Sequence, residues 1–219
     1  MEVATSDRQL RPGPGLVAAR RGFAPGEVVV EDGCRTTSAL RTAYDLATRS
    51  GPAVTVVDRV VGPLADAVVA GDALARLGGF TAEDLLAVPG PRARARGQAR
   101  LRRVAALLDP RSESPPETRV RLQVVLAGLP RPELQWPVEG PGRDRRLDLA
   151  WPEYGVAVEY DGRDHAAADR RGRDIDRLEA LRAQGWIVVV VTTRQLARPT
   201  WVPDRVRAAL ISRGWVPAR

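Results

Sequence analysis

The chain has 219 residues, 44% of them hydrophobic and 28% charged, which is the make-up of a folded globular protein with room for a real core. No stretch reaches the roughly 18–20 uninterrupted apolar residues of a membrane span. The opening residues lack the apolar centre of a signal peptide, and the lone Cys34 excludes an intramolecular disulfide or a Cys-paired zinc site. A cytoplasmic protein is expected.

The formal charge of +7 points toward a nucleic-acid partner. All 34 basic residues are Arg, and Lys and Asn are both missing, as a GC-rich genome would give without selection for binding. The charge is therefore only mild support, although the planar Arg fork is the better phosphate reader of the two cations.

In chain order, residues 14–33 read as two short strands, GLVAARR and GEVVVEDG, closed by Asp-Gly. A helix follows from Thr37 or Ser38 to Gly51, with Leu40, Tyr44 and Leu46 or Ala47 facing inward. A second runs from near Pro63 to Leu77, stopped by Gly78-Gly79. Thr81 and Asp84 then make a weak capping box before AEDLLAV. The segment PGPRARARGQARLRRVAALLDP carries Arg residues all round a helical wheel, with Leu101, Val104, Ala105 and Leu108 as a partial apolar face. It reads as a solvated linker helix or as a phosphate-contacting strut. Asp109-Pro110 and SESPPE mark a boundary.

Beyond the boundary the pattern changes. Pro115 and Pro116 suit the first turn of a helix that ends at Gly128. LQWPV (134–138), RLDLAWP (146–152) and GVAVEYDG (155–162) read as three strands of a meander. DRRGRDIDRLEALRAQG is a helix with Ile175, Leu178 and Leu181 inward and Gly185 as its C-cap. WIVVVVTT reads as a strand buried on both faces, with Trp186 filling the core before it, returning parallel to an inner strand. PDRVRAALISRGW closes the chain as a helix. The expected fold is α/β: a core of order α-β-β-β-α-β-α on a mixed sheet, preceded by a small, mostly helical module with a short β segment.

The chemistry concentrates in carboxylates. Glu159 and Asp161 are two apart on one strand, so their side chains leave the same face about 6.5–7 Å apart. A turn centred near Glu153 and Tyr154 sets Asp148 almost opposite Glu159 on an antiparallel neighbour. Two acids facing each other inside apolar strands destabilise a sheet unless a cation lies between them. Glu117, on the first turn of the preceding helix, can approach as a third carboxylate or simply favour the helix dipole. Hard oxygen ligands with room for water suit Mg2+ or Mn2+. Asp161 precedes Gly162 and equally suits a turn. Asp174 and Arg177 read as an ion pair on the helix surface, or as groups behind the site or facing DNA.

PETRVR, RLDLAWPEYGVAVEYDG, His165, RDIDRLEALRAQGW and VVVVTT together resemble the actinobacterial branch of very-short-patch-repair-like endonuclease domains, in the restriction-endonuclease-like PD-(D/E)XK superfamily. TTSALRTAYDLATRSG and AVVAGDALARLGG look like the middle of AbiEi-type antitoxin proteins. The resemblance implies an AbiEi-like module over 1–108, a linker over 109–116 and an endonuclease domain over 117–219. It assigns Glu117, Asp148 and Glu159 to the metal, with Asp161 and His165 completing the catalytic set. Asp161 stands where the superfamily usually carries a Lys that stabilises developing phosphorane charge. The very-short-patch-like branch does without that Lys and uses a following His, here His165, the only His in the chain. Arg163 or Arg170 could supply the positive charge, and Arg146 and Arg171 are further candidates for contact with DNA. The AbiEi relatives usually begin with a winged helix; nothing before the strand at Gly15 is long enough for one, so a targeting module is expected to be missing or supplied by a protein partner.

The expected function is Mg2+-dependent hydrolysis of DNA phosphodiesters. The competing reading is a non-catalytic DNA-binding or antitoxin-like regulator that keeps a nuclease fold as scaffold. An RNA nuclease is a third reading.

Overall fold

A computed structural model describes residues 2–4, 17–19, 23–48, 62–88, 95–139, 146–162 and 168–217, with backbone alone at 2–4, 17–19, 95–96 and 168–175. Strands β1 (Glu2–Ala4) and β2 (Val17–Ala19) pair in parallel. Strands β3 (Val28–Glu31) and β4 (Cys34–Thr37) form an antiparallel hairpin. The Asp-Gly expected only to close β3 is its turn, with Asp32 at φ 51° and Gly33 at φ 77°.

Helices α1 (Ala39–Thr48), α2 (Pro63–Gly78), α3 (Ala82–Ala87) and α4 (Ala95–Leu107) build one apolar core. Gly79 closes α2 in the left-handed conformation, and Thr81 and Asp84 form the reciprocal capping box before α3. The Arg-rich α4 is not a solvated linker. Its Leu101, Val104, Ala105 and Leu107 are buried against the other three helices. Leu108 is partly buried against the same core, so the partial apolar face offered by the sequence is the buried one, with Leu107 added. Long Arg stems can cover apolar surface while their heads stay wet.

Helix α5 (Pro115–Leu126) follows the boundary and belongs to two cores. Leu122 packs into the helical core, while Val120 and Val124 pack under a sheet. The segment 109–116 is thus bracketed by continuous packing. Asp72 of α2, 1% exposed, accepts from Thr118 Oγ1 (2.8 Å), Arg121 Nη2 (2.7 Å) and the Asp109 N–H (2.8 Å). Arg76 of α2 donates to the Glu113 carbonyl at 2.7 Å. These bonds lock the start of α5 against α2.

The rest of the chain is a mixed α/β arrangement around a four-stranded sheet. Its strands are β5 (Glu133–Pro137), β6 (Arg146–Trp151), β7 (Val156–Asp161) and β8 (Ile187–Thr192), in that spatial order. β5, β6 and β7 form the expected antiparallel meander, and β8 returns parallel to β7 through α6 (Ala168–Ala183). A short α7 (Thr193–Leu196) precedes α8 (Trp201–Ser212). Alternation sets the layers: Val156, Val158 and Val191 pack against α5 and α8, while Ala157 and Ala150 pack against Leu181 of α6.

The valine run of β8 is less buried than its sequence promised. Only Val191 is fully buried; the rest of β8, which ends the strand order, stays partly exposed. Among the described residues, no helix is long and apolar enough to cross a membrane.

Candidate functional site

A tight 3-10 turn, Pro152–Tyr154, joins β6 to β7, and Gly155 completes it at φ 60°. The ladder then pairs Trp151 with Val156, Ala150 with Ala157 and Leu149 with Val158. The same register carried one step further sets Asp148 opposite Glu159, as the sequence predicts. There the ladder stops, although β6 stays paired with β5 as far as Arg146 and Pro137. Asp148 Oδ2 instead accepts the Tyr160 N–H at 2.8 Å. The side chain replaces a backbone partner, and the two strands part around it.

That parting opens a cleft of about 180 Å³ lined by Asp148, Glu159 and Asp161, with Arg177 and Leu178 from α6 and Val190 from β8. Three of the five predicted catalytic residues therefore share one cleft. Burial pushes the Asp148 carboxyl up to about 6; the Tyr160 N–H and Arg177 oppose this, while the negative charges of Glu117 and Glu113 add to it.

Glu117 stands apart from the cleft lining, at the start of α5. Its carboxylate accepts from Ser114 Oγ (2.7 Å), the Glu113 N–H (2.9 Å) and Gln135 Nε2 (3.0 Å). It closes its own helix terminus and projects charge toward Asp148. Among the described residues, no set of three or more His, Cys, Asp or Glu side chains is gathered as a ready metal cage. The donor set still fits a hard divalent cation, since Mg2+ takes one or two protein carboxylates and completes its shell with water and substrate phosphate. A half-buried carboxyl pushed upward beside other acids is one that such a cation would relieve.

Arg146 is exposed and pairs with Glu113 at 2.9 Å. His165 and Arg163 lie outside the described residues, as do the side chains of Arg170, Arg171 and Asp174. Arg177 is not merely a surface charge: its Nη2 donates to Glu159 Oε1 at 2.6 Å and to the Arg146 carbonyl at 2.9 Å.

No family model matches the chain. No solved structure matches it. It is 36% identical over 117 residues to two proteins of Mycobacterium tuberculosis, one from each of two strains, both described as uncharacterized. The match takes in 52% of this chain and 42% of each relative, so the chain spans less than half the length of the curated relatives it matches.

Two contributors at the site, Glu113 and Gln135, escaped the sequence reading, and a third, Arg177, was read there only as one of two alternatives. Glu113 could have been found from its place four residues before Glu117, where both flank the helix start. Arg177 was visible as a cation on the inward side of α6, next to Leu178. Gln135 gave no signal. It sits in β5 at φ 53°, a conformation uncommon for a residue with a side chain, and its amide meets Glu117.

Proposed function

We propose that residues 117–219 form a restriction-endonuclease-like domain that hydrolyses DNA phosphodiesters with Mg2+ or Mn2+. The observation that carries this reading is Asp148: a carboxylate inside an apolar strand, inserted where the ladder parts, across from Glu159. A structural role would favour Val or Thr there, because burial and neighbouring acids penalise the charge.

In this reading Asp148 and Glu159 hold the metal. When bound, it supplies Lewis-acid polarisation of the phosphate and lowers the pKa of a water. Asp161, two positions beyond Glu159 on the same face, orients the attacking water. His165 takes that water's proton, as an imidazole near neutral pH can. The water oxygen bonds to phosphorus, the opposite P–O bond breaks, and the leaving oxygen gains a proton from solvent. Glu117 and Glu113 add negative potential that favours a cation in the cleft. The helical module, AbiEi-like in sequence, is bonded to α5 through Asp72 and Arg76 and would join the domain to a protein partner that selects the DNA.

The test is nicking of supercoiled plasmid with Mg2+ or Mn2+. Wild type should convert it to open circles, and Asp148→Ala and Glu159→Ala should leave it intact. Intact plasmid with wild type in both metals would overturn the reading.

A further inference from the structure

The guanidinium of Arg177 occupies the cleft where a cation is wanted. Its Nη2 spans Glu159 Oε1 and the Arg146 carbonyl, and its charge also reaches Asp148. Its Nε is buried without a hydrogen-bond partner among the described residues. Nε–H and the adjacent Nη2–H form one edge of the guanidinium, the edge that grips two oxygens of a phosphate or carboxylate at once. Glu159 engages that edge through Nη2 alone. A buried donor left unmade is costly in a folded protein, and its alignment beside a filled one marks a half-occupied fork.

From this geometry we infer that Arg177 is the cation-sensitive residue of the site: it neutralises Glu159 while the cleft lacks a metal, then turns its Nε–Nη2 fork onto a non-bridging oxygen pair of the scissile phosphate. The inference rests on the nuclease reading and supplies the positive charge that Asp161 cannot. Arg177 competes with a divalent ion for Glu159, because a guanidinium and a dication repel at contact distance. Once displaced it lies beside the phosphate, where negative charge grows on the equatorial oxygens during attack. An Arg bound permanently to Glu159 would do neither.

Two measurements on the full chain test this. Mn2+ affinity, read by electron paramagnetic resonance without DNA, should tighten about tenfold in Arg177→Gln, since a competitor of like charge is gone. Plasmid nicking at saturating Mn2+ should fall roughly 100-fold or more in the same variant, the loss typical of one transition-state donor. A residue with only a structural role would weaken both together. Arg177→Lys keeps the charge on Glu159 but lacks the fork, so its Mn2+ affinity should stay within about threefold of wild type while nicking falls at least about tenfold. It also provides the decisive comparison if the Gln variant misfolds. Unchanged or weaker Mn2+ binding in Arg177→Gln, or full nicking by Arg177→Lys, would overturn the assignment and leave the nuclease reading intact. Wild type that neither binds Mn2+ nor nicks plasmid would overturn both.

Discussion

Asp148 and Tyr160 are joined by a side-chain-to-backbone bond of 2.8 Å at the point where β6 and β7 stop pairing. The carboxylate accepts an N–H that a ladder would give to a carbonyl. This one substitution of partners creates the cleft and holds an acid in it.

The same carboxylate sets up a stability prediction. Asp148 has its carboxyl raised from 3.8 to about 6 by burial first and then by Glu117 and Glu113. Between those values the folded protein holds the proton more firmly than the unfolded chain does. The stabilising contribution is therefore complete below about pH 3.8 and is lost as pH rises through about 6. At about 1.4 kcal/mol per unit, the penalty at neutral pH is about 3 kcal/mol. Asp148→Asn should be more stable than wild type at pH 7.5 by up to that amount, with the gap vanishing toward pH 4. Urea titrations at the two pH values measure it, and a gap that does not narrow in acid would show that the carboxyl titrates normally.

A second prediction concerns Asp72, buried between α2 and α5. Asp72→Ala leaves Arg121, whose side chain is 4% exposed, without its carboxylate and strips Thr118 and the Asp109 N–H of their acceptor. Breaking a buried pair from one side costs about 3–5 kcal/mol. Asp72→Asn keeps one acceptor oxygen and should lose about 1–3 kcal/mol. Denaturant midpoints rank the two, and equal losses would show that the acceptor oxygen kept by Asn contributes nothing once the charge is gone.

The four strands of the large sheet and the longer helices were legible because apolar residues recur at periods of two and 3.6 around them, whereas β1, β4 and α7 were not. Asp148 and Glu159 stood out as acids within such runs. What stayed hidden depends on partners far away in sequence. α4 shows Arg on every side beside a partial apolar face, and only the packed partners α1, α2 and α3 reveal that this face is buried. β8 is as apolar as an inner strand, yet its place at the end of the order is decided by topology. Arg177 reads in the sequence as a surface ion-pair partner or as a group behind the site, and only the docking of α6 over Glu159 decides between them. The left-handed Gln135 has no local marker at all, since its conformation serves a contact with Glu117 eighteen positions away.

A third prediction follows from the +7 charge. If Arg–phosphate contacts dominate, duplex affinity should fall steeply with salt and depend little on sequence, losing about 0.9 in the log–log slope per phosphate neutralised. Filter binding or fluorescence anisotropy from 50 to 200 mM salt (roughly the range in which such slopes resolve) checks it. A flat response would reduce the charge to codon bias.

The last prediction separates two roles for Glu117. As a metal ligand it must turn its carboxylate into the cleft, giving up bonds to Ser114, the Glu113 N–H and Gln135. As a cap it keeps all three and stabilises the positive end of α5, acting on the cleft only through its field. The bonds favour the cap, because three satisfied acceptor contacts at a helix start are not given up for one shared ion without compensation. Glu117→Gln retains an oxygen for the donors but loses the charge. We expect it to cost about 1 kcal/mol of stability and to weaken Mn2+ binding by only about threefold to tenfold, the scale of a screened charge at a distance. Asp148→Asn, by contrast, should abolish measurable binding. Equal loss of Mn2+ from the two variants would make Glu117 a ligand and require the N-terminal turn of α5 to rearrange when metal binds.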